Sequence, residues 1–426
     1  MDEMKRSVEG ERVLLVALIS EEENEEDAWY RIDELKALTK TAGGQVVSTI
    51  TQKRSRPHPS LLIGKGKVEE MAAFADEYEV DVIIFNDELS PSHIRNLGEW
   101  TEAKIIDRTQ LILDIFASRA TSKEGKLQVE LAQYSYLLPR LRGQGQMLSR
   151  LGGGIGTRGP GETQLEIDQR HIRQRMTDLR QQLAVAKSHR ERYRERRKQN
   201  QTFQIALVGY TNAGKSTLLN RLTEAGVIEE DKLFATLETT TRKWKLPSGM
   251  NVLLSDTVGF IEQLPTTLVE AFRSTLEEVK EADFLLHVVD GSHAEFTEHE
   301  RSVYEHLDEL NASHIPMLTV YNKRDQLSSA FYPATEHDHI LISALDDHDL
   351  TKLSAKLEES LKKAFVFYEI AVAPNDGKLL SRLLTETIQI ASEWNEDAEM
   401  YDVTGYVKED APIYGEIEKR KNEQDQ

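Results

Sequence analysis

The chain has 426 residues, 39% of them hydrophobic and 30% charged, with a formal net charge of −20; that length exceeds one ordinary core and predicts about two to four domains. It contains no cysteine, which excludes disulfides, thiolate nucleophiles and zinc-thiolate centres and leaves the chemistry to oxygen, nitrogen and a bound metal. No apolar run reaches the roughly 18 residues of a membrane span, and the opening MDEMKRSVEGER is too charged for a signal peptide. The expectation is a cytoplasmic, monomeric protein, with at most a peripheral hold on a membrane.

Residues 11–19 (ERVLLVALI) read as a buried strand, Asp27 to Thr41 as a helix closed by Gly43 and Gly44, and Gln45 to Ile50 as a second strand. A loop then runs to Lys67, followed by the helical spacing of VEEMAAFADEY, strand DVIIFND, helix PSHIRNLGEW, strand AKIID and helix TQLILDIFASRA. Strands alternating with helices predict a small α/β domain over 1–120 with a mostly parallel sheet. Within it, Gly64-Lys65-Gly66-Lys67 is open to two readings. Its amides and lysines could converge on a phosphate or on RNA, or it could be a plain helix-entry turn with solvated lysines.

Leu127, Leu131, Tyr134, Leu138 and Leu141 recur at four-three spacing, and Leu165, Ile172, Met176, Leu179, Leu183 and Ala186 do the same downstream. Two such stripes can bury each other, which predicts an antiparallel helical hairpin over 121–200. Its second helix, if continuous from Glu162 to Lys198, would be about 55 Å long. Pro139 should end the first helix near Leu138, because its ring clashes with the carbonyl four residues back.

The loop between these helices, 139–161, holds eight of the 24 glycines, four arginines and no carboxylate. From Arg140 to Asn200 there are 15 basic against 6 acidic residues, a net of +9, so the remainder of the chain carries −29. Arginine contacts phosphate bidentately or stacks on bases, and glycine lets a backbone approach a crowded surface. Arg140, Arg142, Arg150 and Arg158 are therefore candidate RNA-binding residues, with structured RNA as the partner; a solvated linker is the alternative.

The apolar run Phe203 to Val208 leads into GYTNAGKS and then into the helical pattern Thr217 to Glu224. Strand, glycine turn and helix are the context of a phosphate-binding loop. Its backbone from Gly209 through Tyr210, Thr211, Asn212, Ala213 and Gly214 would wrap the phosphates. Lys215 would sit between the β- and γ-phosphates, and Ser216, backed by Thr217, would ligate Mg²⁺. Asn212 is either a turn residue or the holder of a K⁺ that stands in for an arginine finger.

LFATLETTTR, Leu233 to Arg242, reads as a switch loop whose threonine closes on Mg²⁺ and the γ-phosphate. The strand Asn251 to Ser255 then carries Asp256, Thr257, Val258 and Gly259, where the aspartate can hold the Mg²⁺ shell and the glycine amide can sense the γ-phosphate. Phe260 directly follows that glycine, and a phenyl ring cannot orient water, so intrinsic hydrolysis should be slow until a partner orders the switch loops. Gln263 is a possible substitute. Further strands end at Asn322, Lys323 and Asp325, and at Ser343, Ala344 and Leu345. Asp325 can accept from guanine N1–H and N2 where adenine offers neither donor, and the Ser343-Ala344 backbone can meet O6. Histidines such as His287, His337 and His339 show no metal-ligand spacing. Thus 201–365 reads as a nucleotide-binding α/β domain with its ligand on the sheet edge, and 366–426 as a small α/β appendage. In that appendage strands 366–374 and 400–408 flank a helix Lys378 to Asn395, and the terminal EKRKNEQDQ reads as frayed.

GYTNAGKS, LFATL, DTVGF, NKRD and GPGETQLEIDQR (Gly159 to Arg170) together resemble the HflX family of ribosome-associated GTPases over residues 11 to about 365. The resemblance implies an α/β P-loop GTPase domain with helices on both faces of a mostly parallel sheet, GTP as substrate and Mg²⁺ as cofactor. It also implies a partner in the large ribosomal subunit and its rRNA, and a role in splitting or rescuing ribosomes under stress. By the family's pattern Thr236 is the Mg²⁺-binding switch threonine, with Phe234, Ala235, Leu237 and Glu238 beside the nucleotide. The family usually continues with Asp-Pro where this chain has Glu238-Thr239, which leaves Thr239, Thr240 and Thr241 as rivals. Two other functions fit parts of the sequence: a regulatory GTPase docking on a protein or membrane complex through its hairpin, and an RNA-remodelling ATPase.

Overall fold

Two mostly parallel sheets, in which strands largely alternate with helices, organise the chain. The structure, a computed structural model, describes residues 10–22, 24–141, 164–200, 202–223, 234, 239–260, 278–327 and 331–424. These divide into two compact units, 10–187 and the described residues from 188 onward.

The first unit contains β1 (Arg12–Ser20), α1 (Glu25–Thr41), β2 (Gln45–Arg54), α2 (Lys65–Glu77), β3 (Val82–Phe85), α3 (Pro91–Leu97), β4 (Lys104–Asp107) and α4 (Arg108–Arg119). Its sheet runs β2-β1-β3-β4, parallel throughout. The unbroken apolar run of β1, buried from Val13 to Leu18, is what a strand covered on both faces requires. Side chains of Asn24, Ser90 and Asp107 cap α1, α3 and α4, satisfying backbone N–H groups that the first helical turn leaves open. α2 begins at Lys65, so Gly66 and Lys67 lie inside its first turn. The Gly64 amide bonds to Gln52 Oε1 (2.7 Å) and Lys67 pairs with Glu70 (2.8 Å), in keeping with a helix-entry turn.

Pro139 does not end the next helix, as its ring chemistry led one to expect: α5 runs Lys123–Leu141 through it. The proline sits in the last turn, where few intrahelical bonds remain to be lost, and the helix is anchored ahead of it by buried Leu127, Val129, Ala132 and Tyr136. The following helix, α6 (Gln164–Asn200), has 37 residues, about 55 Å. Arg175 reaches Glu130 of α5 with two bonds of 2.7 and 2.8 Å.

The second unit holds β5 (Phe203–Gly209), α7 (Lys215–Thr223), β6 (Thr240–Lys245), β7 (Asn251–Asp256), β8 (Phe284–Asp290), α8 (Phe296–Glu309), β9 (Met317–Asn322), β10 (His339–Leu341) and α9 (Asp347–Ala364). The sheet order is β10-β9-β8-β5-β7-β6, parallel except that β6 runs against β7. Alternate residues of β5 feed two cores: Ile205 and Leu207 pack with α7 and α9, Ala206 and Val208 with α8.

The appendage follows as β11 (Val366–Val372), α10 (Gly377–Glu386), β12 (Ile388–Asn395), β13 (Met400–Val407) and α11 (Pro412–Gln424), an antiparallel sheet β11-β13-β12. The helix expected to reach Asn395 stops at Glu386. Buried Thr387 ends it, its hydroxyl donating to the Leu383 carbonyl (2.6 Å) and bonding to the Tyr368 hydroxyl (2.7 Å). Ile388 then enters the core of the larger sheet, with Tyr406 packed against it. The terminal segment is helical to Gln424, held by buried Ile413 and Ile417. Among the described residues no helix is long and apolar enough to cross a membrane.

Candidate nucleotide site

The chemistry-bearing groups of the second unit gather at the carboxyl ends of β5, β7, β9 and β10, the edge where open α/β sheets bind ligands. After β5 the chain turns through Tyr210, Thr211, left-handed Asn212 (φ 61°), Ala213 and Gly214 (φ 97°) into α7. A Cβ on Gly214 would lie 2.2 Å from the Asn322 amide nitrogen, so only glycine allows this approach. That amide group fastens two motifs together: Asn322 Nδ2 donates to the Ala213 carbonyl and its Oδ1 accepts from the Ala344 amide, both 2.9 Å.

Lys215, buried at the start of α7, donates to the carbonyls of Gly209 (3.0 Å) and Tyr210 (2.7 Å). Burial pulls its pKa down from the ordinary 10.5 to about 8, with Asp256 pulling the other way. The ammonium therefore remains charged at neutral pH inside a loop of backbone dipoles, a setting that favours an anion. Next to it, the Ser216 hydroxyl donates to Asp256 Oδ2 at 2.7 Å. One hydroxyl and one fully buried carboxylate are hard oxygen donors, and among the described residues no group of three or more His, Asp or Glu side chains gathers that could hold a metal by itself. Such a donor pair fits Mg²⁺, which keeps several waters and completes its shell from substrate phosphates.

Beyond Asp256, the Thr257 hydroxyl donates to the Leu207 carbonyl (2.7 Å). The segment then returns alongside the phosphate loop: Phe260 N bonds to Gly209 O (3.1 Å) and Thr211 N to Phe260 O (2.8 Å). A Cβ on Gly259 would lie 2.8 Å from Thr211 Cγ2, so this glycine lets the two segments touch, with Val258 buried before it. Phe260 is buried among Val279, Leu285, Val303 and Leu307. Its ring belongs to the core and takes no part in positioning water.

At the base end, Lys323 adopts a left-handed conformation (φ 61°) and pairs with Asp290 (2.7 Å). Asp325 is exposed and accepts a 2.6 Å bond from the Ser343 hydroxyl, which holds its carboxyl below the ordinary carboxylate range. The carboxylate is thus oriented at the surface, where a bound base would cover it. Asp349 bonds to the Ser343 amide (2.9 Å) and to Arg324 (2.8 Å), fixing the loop from which Leu345 projects, 65% exposed.

Ala235, Thr236, Leu237 and Glu238 lie outside the described residues, as do Gln263, Arg142, Arg150 and Arg158. Of the rival switch threonines, Thr241 bonds to Ser255 (2.8 Å) and Thr240 lies opposite Asp256 in the β6–β7 register. Thr217 follows Ser216 in α7, and Phe234 is buried. Arg140, expected to meet RNA, is committed inside its own unit. It bonds to Glu88, Asp107 and the carbonyls of Tyr136 and Leu89, and its guanidinium lies 3.4 Å from the centre of the Tyr136 ring. The sequence also left two residues unmarked, His299 and His306 of α8, which stack on Tyr210 and Phe260. Their seven-residue spacing on an amphipathic helix looks like any half-solvated face and gave no signal.

A strand, glycine turn and helix carrying a buried lysine, a hydroxyl bonded to a buried carboxylate, and the NKRD turn tied to Ser343 on the same sheet edge are the parts of a P-loop GTPase, an enzyme that hydrolyses GTP. Comparison with known proteins agrees. Residues 204–323 match the family described as 50S ribosome-binding GTPase, and residues 30–117 and 119–197 match the GTP-binding GTPase N-terminal and Middle Region families. GTPase HflX of Alkalihalophilus pseudofirmus is 55% identical over 410 residues, 96% of this chain and 97% of that protein. GTPase HflX of Escherichia coli K12 is 40% identical over 395 residues, 91% of each. A GTP-binding protein from Sulfolobus solfataricus, solved with GDP, is 25% identical and covers 82% of this chain and 99% of its own, with a TM-score of 0.44. The chain belongs to the HflX family of GTPases.

Proposed function

We propose that this GTPase works in the cytoplasm on the large ribosomal subunit, gripping rRNA through its N-terminal region and splitting or rescuing ribosomes under stress. The observation that carries the reading is the charge segregation. A chain of net −20 concentrates 15 basic against 6 acidic residues between Arg140 and Asn200, around a loop with no carboxylate. The description of the matching family, 50S ribosome-binding GTPase, points the same way. Since Arg140 is engaged within its own unit, the RNA contacts fall to Arg142, Arg150 and Arg158.

Catalysis follows from the site. Lys215 and the loop amides would bind the phosphates; Ser216, Asp256 and switch threonine Thr236 would hold Mg²⁺, which when bound would supply positive charge against the developing negative charge of phosphoryl transfer. The Gly259 amide would sense the γ-phosphate, and Asn212 would hold a K⁺ that supplies the positive charge of an arginine finger. With the Phe260 ring inside the core, the free protein hydrolyses slowly and ribosomal contact accelerates it.

The test is cosedimentation of the full chain with separated large subunits, with GDP or with a non-hydrolysable GTP analogue. Tighter binding with the analogue, lost when Arg142, Arg150 and Arg158 are changed to Glu and falling steeply with salt, is the expected result. Binding indifferent to nucleotide and to the three arginines would overturn the reading and favour a protein-docking arm. Faster turnover in KCl than in NaCl at equal ionic strength is expected of the K⁺ site.

A further inference from the structure

Helix α8 packs against the phosphate loop, the DTVGF turn and the residue before the guanine motif, with a different side chain at each. His299 lies flat on Tyr210, the second residue of the phosphate loop, with ring centres 3.9 Å apart and planes 7° from parallel. Two turns on, His306 stacks on Phe260, at 5.2 Å and 18°. Tyr210 and Phe260 are themselves paired, since the backbone bonds on either side of Tyr210 are those that tie the phosphate loop to the DTVGF turn. Between the two histidines, buried Glu300 takes hydrogen bonds from the hydroxyls of Tyr321 (3.0 Å) and Tyr304 (2.8 Å). Tyr321 directly precedes Asn322 of the guanine motif.

Of these contacts the His299–Tyr210 stack is the one aimed at the phosphates. The Tyr210 carbonyl is an acceptor of the Lys215 ammonium (2.7 Å), so the height of the Tyr210 backbone sets where that carbonyl, the following amides and the lysine stand. A buried ring is a rigid shelf with two soft torsions, and stacked aromatic pairs hold their partners beyond what area burial alone provides. His299 is 7% exposed; burial, with His293 alongside, drives its pKa down to about 3, so the shelf stays neutral and brings no charge of its own into the site.

We propose that His299 is a positioning residue for GTP binding, its ring fixing Tyr210 and through it the phosphate loop and Lys215, while His306 holds the DTVGF turn in step with it through Phe260. The histidine touches neither nucleotide nor metal. It acts by keeping the loop in the conformation that phosphates require, so its loss should shorten the life of the nucleotide complex more than it lowers melting temperature.

The experiment compares the full chain with His299→Ala and His299→Phe. Readouts are release of a fluorescent GDP analogue by stopped flow, KM and kcat for GTP, and thermal melting of the nucleotide-free protein. Alanine should speed nucleotide release by about five- to tenfold and raise KM with kcat little changed. Phenylalanine, a flat uncharged ring, should restore release to within about twofold. In a Tyr210→Leu background, His299→Ala should add nothing further. If alanine lowers the melting temperature while release stays at the wild-type rate, the ring is mere core filling and the proposal fails; if a folded His299→Phe releases as fast as alanine, a stacked ring does not position the loop and the proposal fails as well. Should His299→Ala not fold, the phenylalanine variant and Tyr210→Leu decide on the same readouts.

Discussion

The two parallel sheets of this chain end their strands in opposite ways. In the first unit the charged groups beyond the strand ends are paired with one another. Asp107 accepts from the amides of Leu89 and Gln110, the Tyr136 hydroxyl and Arg140, while Arg108 pairs with Glu34 and Asn86. In the GTPase sheet the corresponding groups are arranged toward something else. Among the described residues the hydrogen bonds of the buried cation Lys215 go to carbonyls of its own loop, and Asp325 stands exposed while one hydroxyl aims it. A buried charge that the protein neutralises becomes architecture, and one held in place for a foreign partner becomes a site.

Breaking the closed network gives the largest expected effect. Asp107→Ala would leave the Tyr136 hydroxyl and the Leu89 and Gln110 amides without their acceptor and take one partner from Arg140, and should cost about 3–5 kcal/mol of stability in urea denaturation while intrinsic GTP turnover stays within about twofold. A matching fall in turnover would show that the first unit is no mere scaffold for hydrolysis. On the open side, Asp325→Asn puts an amide donor against guanine donors and should weaken GTP binding about a hundredfold with little change in melting temperature. The same variant should gain affinity for a xanthine nucleotide, whose C2 carries an oxygen. The smallest effect is one of pH. Below pH 8 Lys215 is charged in folded and unfolded chains alike, and its burial costs stability. Between about 8 and 10.5 the folded protein sheds the proton that the unfolded chain keeps, so the nucleotide-free protein gains stability as pH rises. Phosphate needs the cation, so GDP affinity should fall over the same window, by up to about tenfold per pH unit, as titration calorimetry would read.

The nucleotide site was legible because each of its motifs is a local event: a strand, a turn and a helix start within a dozen residues, with residue types that have few other uses in that order. What the sequence hid is what depends on distant partners. Arg140 looked like its neighbours in a cationic loop, and only the folded Asp107 and Tyr136 claim it. Ile388 to Asn395, with Ala391 and Glu393 among them, reads as helix until Tyr368 is seen holding Thr387 at the turn. Pro139 argued for a stop that packing upstream overrode. For Ile413 and Ile417 the four-residue spacing was there to be seen, and the polar residues around it masked it.

The seven residues of β5 have a mechanical consequence. At one end Phe203 sits edge-on to Phe365 (5.4 Å), and the Gln204 amide is bonded to Asp283, which also holds Lys408 of the appendage. At the other end, about 20 Å away, the strand becomes the phosphate loop. Tension or displacement applied to the appendage therefore bears on the root of a stiff rod whose tip is Gly209, and cutting the chain after residue 365 would remove Ile388 and Tyr406 from beneath that root.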